Sequence, residues 1–223
     1  IENEITGSNT AMIYKDGKTL FYNIENSGKK GDKNISNQSY KPNLETIFPI
    51  WSMSKPITIV AMMILRERGM ISINDNLSKY IPEFKNMTCK GEKGKYPCKK
   101  EIKIIHLLTH RSGFGYYSDQ GYGYGFTNTL TYNNLKDFAK DLSKVELEFE
   151  PGEKYYYGLN QALLGRVVEI VSKKSFYDFL KDEIFDPLKM TETKFYLTEN
   201  DRSRFQPLFI NTGELTGFTY ELN

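Results

Sequence analysis

The sequence predicts an α/β (α+β) fold: an antiparallel sheet with a helical region inserted into it. Three observations carry this. A hairpin signal opens the chain, a long central stretch places apolar residues at helical spacing, and the tail after Thr193 alternates enough for a strand or two. Strands, then helices, then strands, with no internal repeat, make one large domain or two interleaved ones from 223 residues. The expected division is 1–50 for the N-terminal strands, 51–192 for a mainly helical region, and 193–223 for the return toward the sheet.

Each element has a local reason. Thr10–Tyr14 and Lys18–Asn23 are β-prone runs flanking Lys15-Asp-Gly17, an Asp-Gly turn signal. Residues 25–45 are polar and read as an exposed loop. A helix follows Ser52, with Ile57, Val60, Ala61, Ile64 and Leu65 on one stripe and Met62 and Met63 widening it; being nearly all apolar, it is expected to be buried. Pro56 lies in its first turn, where a missing N–H breaks no intrahelical bond, and Gly69 supplies the stop. Ile73–Leu77 and Lys79–Pro82 read as turns, and Ile102–Thr109 as a short apolar helix or strand ended by Ser112-Gly113. From Phe114 to Phe126 aromatics alternate with glycine, which fits either a solvated loop or an aromatic lid over a pocket. Leu135–Leu142 reads as a short helix. Pro151-Gly152 starts a turn leading through Tyr155-Tyr-Tyr157 into a helix with Leu159, Ala162, Leu163, Val167 and Ile170 on one face. Ser175 and Asp178 form a capping pair for a third helix carrying Phe176, Phe179 and Leu180.

Composition excludes some classes. A net charge of +2 with acids and bases interspersed gives no basic stripe for a nucleic acid. No apolar run reaches bilayer length, so no transmembrane segment is expected. The polar start Ile1-Glu2-Asn3 fits a cytoplasmic start without its methionine or a trimmed segment. Both cysteines and both histidines fall between positions 89 and 110, but eight residues separate Cys89 from Cys98 and seven separate Cys98 from His106, which is not zinc-finger spacing. No glutamate follows His106 toward His110, so the zinc-protease pattern fails as well. No metal or other cofactor is expected. A Cys89–Cys98 disulfide and two free thiols both remain open.

Candidate chemistry begins at Phe48-Pro-Ile-Trp-Ser-Met-Ser-Lys-Pro-Ile-Thr58, where Ser52 stands three positions ahead of Lys55 as a loop turns into a helix. A serine hydroxyl is a poor nucleophile until its proton is removed, and a lysine one turn away shares its face. The helix start also offers unpaired N–H groups and the positive end of a dipole to an oxyanion. The spacing alone is cheap, because Ser27-Gly-Lys-Lys30 has it without a helix behind it. Context separates the two, leaving a serine that merely caps the helix as the competing reading. Tyr157, next to Tyr155 and Tyr156, reads by itself as an ordinary core aromatic.

Five segments together resemble the serine β-lactamase and penicillin-binding-protein superfamily, most of all its class C β-lactamase-like branch, with its D-Ala-D-Ala carboxypeptidases, D-aminopeptidases and family VIII carboxylesterases. They are Phe48–Thr58, Asp75–Phe84, His106-Leu-Leu-Thr-His-Arg-Ser-Gly113, Pro151–Glu169 and Ile184-Phe-Asp-Pro-Leu-Lys-Met-Thr-Glu-Thr193, in the family's order. The resemblance implies a β-lactamase/transpeptidase-like fold and acyl transfer to esters or amides, with Ser52 as nucleophile and Lys55 as its activating partner. The family's second motif begins with a tyrosine six residues after the proline of a Pro-Gly turn, which is Tyr157 counted from Pro151. Here Gly158-Leu159 stands where β-lactamases carry serine and asparagine, as in the esterase branch; this counts against efficient β-lactam turnover. The residues expected to contact substrate are Leu159, Asn160 as a displaced amide, and Tyr116 and Tyr122 from the aromatic-glycine loop. His106 and His110 read as packing residues beneath the site. The resemblance also leans toward an extracytoplasmic or secreted location.

Its third motif lies far beyond the second. Asn211-Thr-Gly213 has the right look but follows Tyr157 too closely. The chain is therefore expected to be incomplete, its sheet finished by a C-terminal segment, another chain or a swapped copy. The expected partner in reaction is a small-molecule or peptide substrate. A non-catalytic scaffold or penicillin-binding protein of the same fold is the alternative function.

Overall fold

The computed structural model describes residues 8–26, 43–115, 117–118, 121–122, 132–205, 209–211 and 215–217. The chain divides into two units: residues 1–51 with 194–223, and residues 52–193.

In the first unit β1 (Ser8–Lys15) pairs antiparallel with β2 (Lys18–Asn26). The turn between them is Asp16-Gly17, both at positive φ (51° and 74°), the geometry that makes Asp-Gly a hairpin signal. The register shifts between Ile13 and Tyr14, a local irregularity the alternation does not announce.

The second unit is built on helices. They are α1 (Ser54–Glu67), α2 (Ile104–Leu108), α3 (Leu135–Leu142), α4 (Asn160–Ser172) and α5 (Phe176–Leu180). α4 is central and packs against each of the other four. Its buried face is Leu163, Leu164, Val167 and Val168, the i, i+1, i+4, i+5 spacing of a helix covered broadly on one side. Leu163 and Val167 belong to the stripe expected from the sequence, whereas Ala162 and Ile170 are only half-buried. α1 corrects its expectation further. Thr58, Ala61, Met62 and Leu65 are buried while Val60 is 47% exposed, so the helix has one buried face despite its apolar composition. α3 has the expected bounds, capped by Asn134, whose side chain accepts from the Asp137 N–H at 2.8 Å. α5 is capped by Ser175, which accepts from the Asp178 N–H at 3.0 Å. A π-helical turn, Lys181–Phe185, extends α5 and buries Ile184 and Phe185.

Cys89 and Cys98 form a disulfide across the two-residue pair β3 (Thr88–Cys89) and β4 (Tyr96–Pro97), which resolves the choice left open by the sequence. Neighbouring backbone ties this hairpin to the stretch leading toward Tyr157. Leu147 donates to Thr88 O and accepts from Lys90 N–H, each at 2.8 Å, and the buried Glu150 carboxylate accepts from the Lys99 N–H at 2.9 Å. Replacing both cysteines by serine is expected to cost about 2–3 kcal/mol, the chain-entropy value for so short a loop, measured by urea unfolding. An unchanged midpoint would mean that the 147–150 contacts hold the hairpin without the bridge.

Two further antiparallel pairs are placed as backbone. They are β5 (Tyr117–Ser118) with β6 (Gly121–Tyr122), and β7 (Phe209–Asn211) with β8 (Leu215–Gly217). Among the described residues, the sheets are all two-stranded. In the first unit α6 (Glu199–Arg202) begins at Thr198, which shares a capping box with Asp201. That buried carboxylate is held well below the ordinary range by the Thr198 N–H and the Lys194 ammonium. No helix among the described residues is long and apolar enough to cross a membrane.

Candidate active site

Ser52 lies in a 3₁₀ turn, Trp51–Met53, immediately before α1. Trp51 takes a positive φ of 44°, which is uncommon for a bulky residue and turns the chain sharply just ahead of the serine. The helix N-cap is Met53, with no side-chain cap, so Ser52 does not serve the helix end. It is exposed, and the Lys55 ammonium donates to its Oγ at 3.0 Å. The Ser-x-x-Lys spacing works here because one helical turn returns the lysine to the serine's side.

The Tyr157 hydroxyl donates to the same Oγ at 2.8 Å across 105 residues of sequence. The Lys55 Nζ also stands 4.7 Å from the centre of the Tyr157 ring. Thus Ser52, Lys55 and Tyr157 meet at one oxygen. Both hydrogen bonds run to the serine oxygen, and a cation beside the phenol favours its ionised form, the form that can take the serine proton.

A buried polar cluster supports this arrangement from beneath. The His110 carbonyl accepts from the Tyr156 N–H at 2.8 Å, and its Nδ1 accepts from the Gly158 N–H at 3.3 Å. The His110 ring lies 4.7 Å from the Tyr157 ring, tilted by 33°. Asn160 is fully buried, with Nδ2 2.9 Å from the His110 Nδ1 and Oδ1 accepting from the Ser112 hydroxyl. Ser112 in turn accepts from the Phe114 N–H at 3.1 Å. His106 acts elsewhere, at the start of α2, where its Nδ1 accepts from the Lys103 N–H at 3.1 Å. Burial lowers the pKa of both histidines; next in effect is the Lys103 charge for His106 and the Lys55 charge for His110.

The other residues expected to contact substrate are placed as follows. Asn160 has no exposed surface, and its amide is engaged by Ser112 and His110. Leu159 is 6% exposed and packs in the hydrophobic core. Tyr116 lies outside the described residues, and Tyr122 is placed only as backbone in β6. Phe114, expected at the start of a loop, is fully buried and sits edge-on to Phe84 with ring centres 6.1 Å apart. Gly158 is explained by packing. A Cβ there would come within 2.5 Å of the Gly115 backbone and 2.7 Å of the Phe114 carbonyl oxygen, so no side chain fits. Ser112 and Gly115 are supporting residues that sequence reasoning does not assign, and no local pattern marks either of them. His110 lies against Tyr157, where the resemblance put a packing residue.

A serine shared by a lysine one helical turn away and a distant tyrosine, on a helical unit with small antiparallel sheets, defines a β-lactamase/transpeptidase-like protein. The chain matches the Beta-lactamase family over residues 6–214 and belongs to that family. Protein flp of Staphylococcus aureus is 32% identical over 190 residues, 85% of this chain and 35% of its own length. Esterase EstB of Burkholderia gladioli is 30% identical over 165 residues, 71% of this chain and 41% of its own. The solved structure of EstCE1, described as a hydrolase with promiscuous acyltransferase activity, superposes with a TM-score of 0.77 at 22% identity, over 97% of this chain and 55% of that one. The chain thus spans roughly a third to a half of the length of these proteins.

Proposed function

We propose that the protein is a serine hydrolase that cleaves esters, and amides less readily, through an acyl-enzyme on Ser52. The observation that carries this is the meeting of the Lys55 ammonium and the Tyr157 hydroxyl at the Ser52 Oγ, 3.0 and 2.8 Å away. In the proposed step, Tyr157 reacts as phenolate, stabilised by Lys55, and takes the serine proton as Oγ bonds to the acyl carbon. The tetrahedral oxyanion meets N–H groups near the start of α1. As the alkoxide departs, Tyr157 returns the proton to it, leaving the acyl-enzyme and a free alcohol. A water, activated by the same tyrosine, then attacks the acyl carbon and restores Ser52. Lys55 holds its charge throughout and sets the field in which the phenol ionises.

The ester preference is supported by Gly158-Leu159, which offers no side-chain amide to a substrate amide, and by the burial of Asn160. The name of esterase EstB points the same way. We also propose that strands from a C-terminal segment or another chain complete the sheet. Support comes from the isolated two-stranded pairs among the described residues and from the fraction of the relatives that the chain spans.

A fluorophosphonate probe followed by peptide mapping tests the assignment. Label is expected on Ser52 of the full-length protein and only weakly on residues 1–223 alone. Label on any other residue would end it. Turnover of p-nitrophenyl acetate is expected to exceed that of nitrocefin; comparable rates would mean that Gly158-Leu159 does not decide substrate choice.

A further inference from the structure

We propose that His110 is the positioning residue for the Tyr157 phenol, holding it through an imidazole whose Nδ1 must stay unprotonated. This rests on the reading of Tyr157 as the group that takes the Ser52 proton.

One residue brackets the tyrosine. The His110 carbonyl accepts from the peptide N–H before Tyr157, its Nδ1 accepts from the peptide N–H after it, and its ring lies against the Tyr157 ring. His110 does this from a left-handed backbone conformation, φ 53°, which turns the chain directly beneath the site. A peptide N–H can only donate, so the Gly158 bond requires a lone pair on Nδ1 and places the neutral ring's proton on Nε2. This assignment does not depend on which way the Asn160 amide is turned. With Nδ2 toward His110 and Oδ1 toward Ser112, the cluster runs consistently from the Phe114 N–H through Ser112 and Asn160 to the same Nδ1.

Protonating Nδ1 would set two N–H groups against each other at Gly158. Asn160 could turn its oxygen toward an imidazolium, but the Gly158 amide has no such option. Nor can Gly158 back away toward Gly115, because the two backbones are already packed too closely to admit a Cβ. The strain falls on Tyr157, between the two bonded peptides. The ionisable groups facing the ring are Lys55 from α1 and Tyr155 and Tyr157 from the segment after Pro151. Burial, and then the Lys55 charge, disfavour the imidazolium, so His110 is neutral at pH 7 and gains a proton only as the pH falls below the 6.5 of a free histidine.

The test uses the full-length protein and three forms: wild type, His110→Asn and His110→Ala. Asparagine keeps an acceptor near the place of Nδ1, tolerates the positive φ and cannot be protonated. Ring nitrogen NMR on the wild type is expected to show the Nε2–H tautomer, with the Gly158 amide shifting as His110 titrates. The wild-type kcat on p-nitrophenyl acetate is expected to fall along that same titration with KM little changed. His110→Asn is expected to lose that acid limb and to retain most of the kcat at pH 7. His110→Ala is expected to lose about 10- to 100-fold in kcat at pH 7, the scale of a misplaced catalytic group. A proton on Nδ1, a Gly158 amide indifferent to the titration, or a wild-type acid limb surviving in His110→Asn would each overturn the proposal. The NMR result stands whether or not Ser52 takes the probe, so a failed hydrolase assignment and a failed role for His110 are told apart.

Discussion

Ser52→Ala is expected to reduce hydrolysis of p-nitrophenyl acetate by at least about 10⁴-fold, the scale on which single nucleophile deletions act in serine hydrolases. The reason is geometric. The Oγ is the one atom on which the Lys55 and Tyr157 hydrogen bonds converge, and removing it leaves an ammonium and a phenol with nothing to activate. The fold should not suffer, because Ser52 is exposed and does not cap α1. Circular dichroism and kcat/KM on matched preparations check both halves. A loss below tenfold, with the fold intact, would favour a non-catalytic scaffold.

Lys55 and Tyr157 should fail together. With one proton transfer shared between them, Lys55→Ala and Tyr157→Phe are each expected to cost about 10²–10⁴-fold in kcat, the usual range for positioned acid–base groups. The double variant should cost little more than the worse of the two, because residues acting as a unit are not additive. The 4.7 Å between the Lys55 Nζ and the Tyr157 ring gives the coupling a physical route. Losses that multiply would show that one of the pair is only structural.

The parts of the fold that are legible in the sequence are those set by short-range rules. The Asp16-Gly17 turn, the bounds of α3 and the Ser175 cap each depend on a few neighbouring residues, and each is found where those residues put it. The site is legible to the same extent. Ser52 and Lys55 are one helical turn apart, whereas Tyr157 is reached only through the resemblance, whose second motif is counted from Pro151. What escapes is decided across long stretches of chain. Asn160 meets His110 across 50 residues and Ser112 across 48, so its burial depends on how α4 docks on the His110 loop. An asparagine three residues after Tyr157 looks the same in sequence whether it faces a pocket or the core. Phe114 escapes because its glycine-rich neighbours signal a loop, whereas it packs edge-on to Phe84, far back along the chain. Val60 escapes because apolar composition shows that a helix can be buried, not how much of its circumference is covered.

The contact between Gly158 and Gly115 bears on how this site could change over generations. A β-lactamase-like serine at position 158 would strike the main chain at Gly115, and main chain cannot turn aside as a side chain can. Widening position 115 first does not help, because a Cβ there would run into the Tyr156 ring. Replacing Leu159 with asparagine would put a polar amide at a core position. Each intermediate on a stepwise route to a tyrosine-serine-asparagine triplet is therefore less stable than its parent, and the route opens only if the loop after Ser112 shifts first. The Tyr157-Gly158-Leu159 triplet is held in place by packing against the Gly115 main chain, the Phe114 carbonyl and the core, so a shift of that main chain would have to precede any side chain at 158.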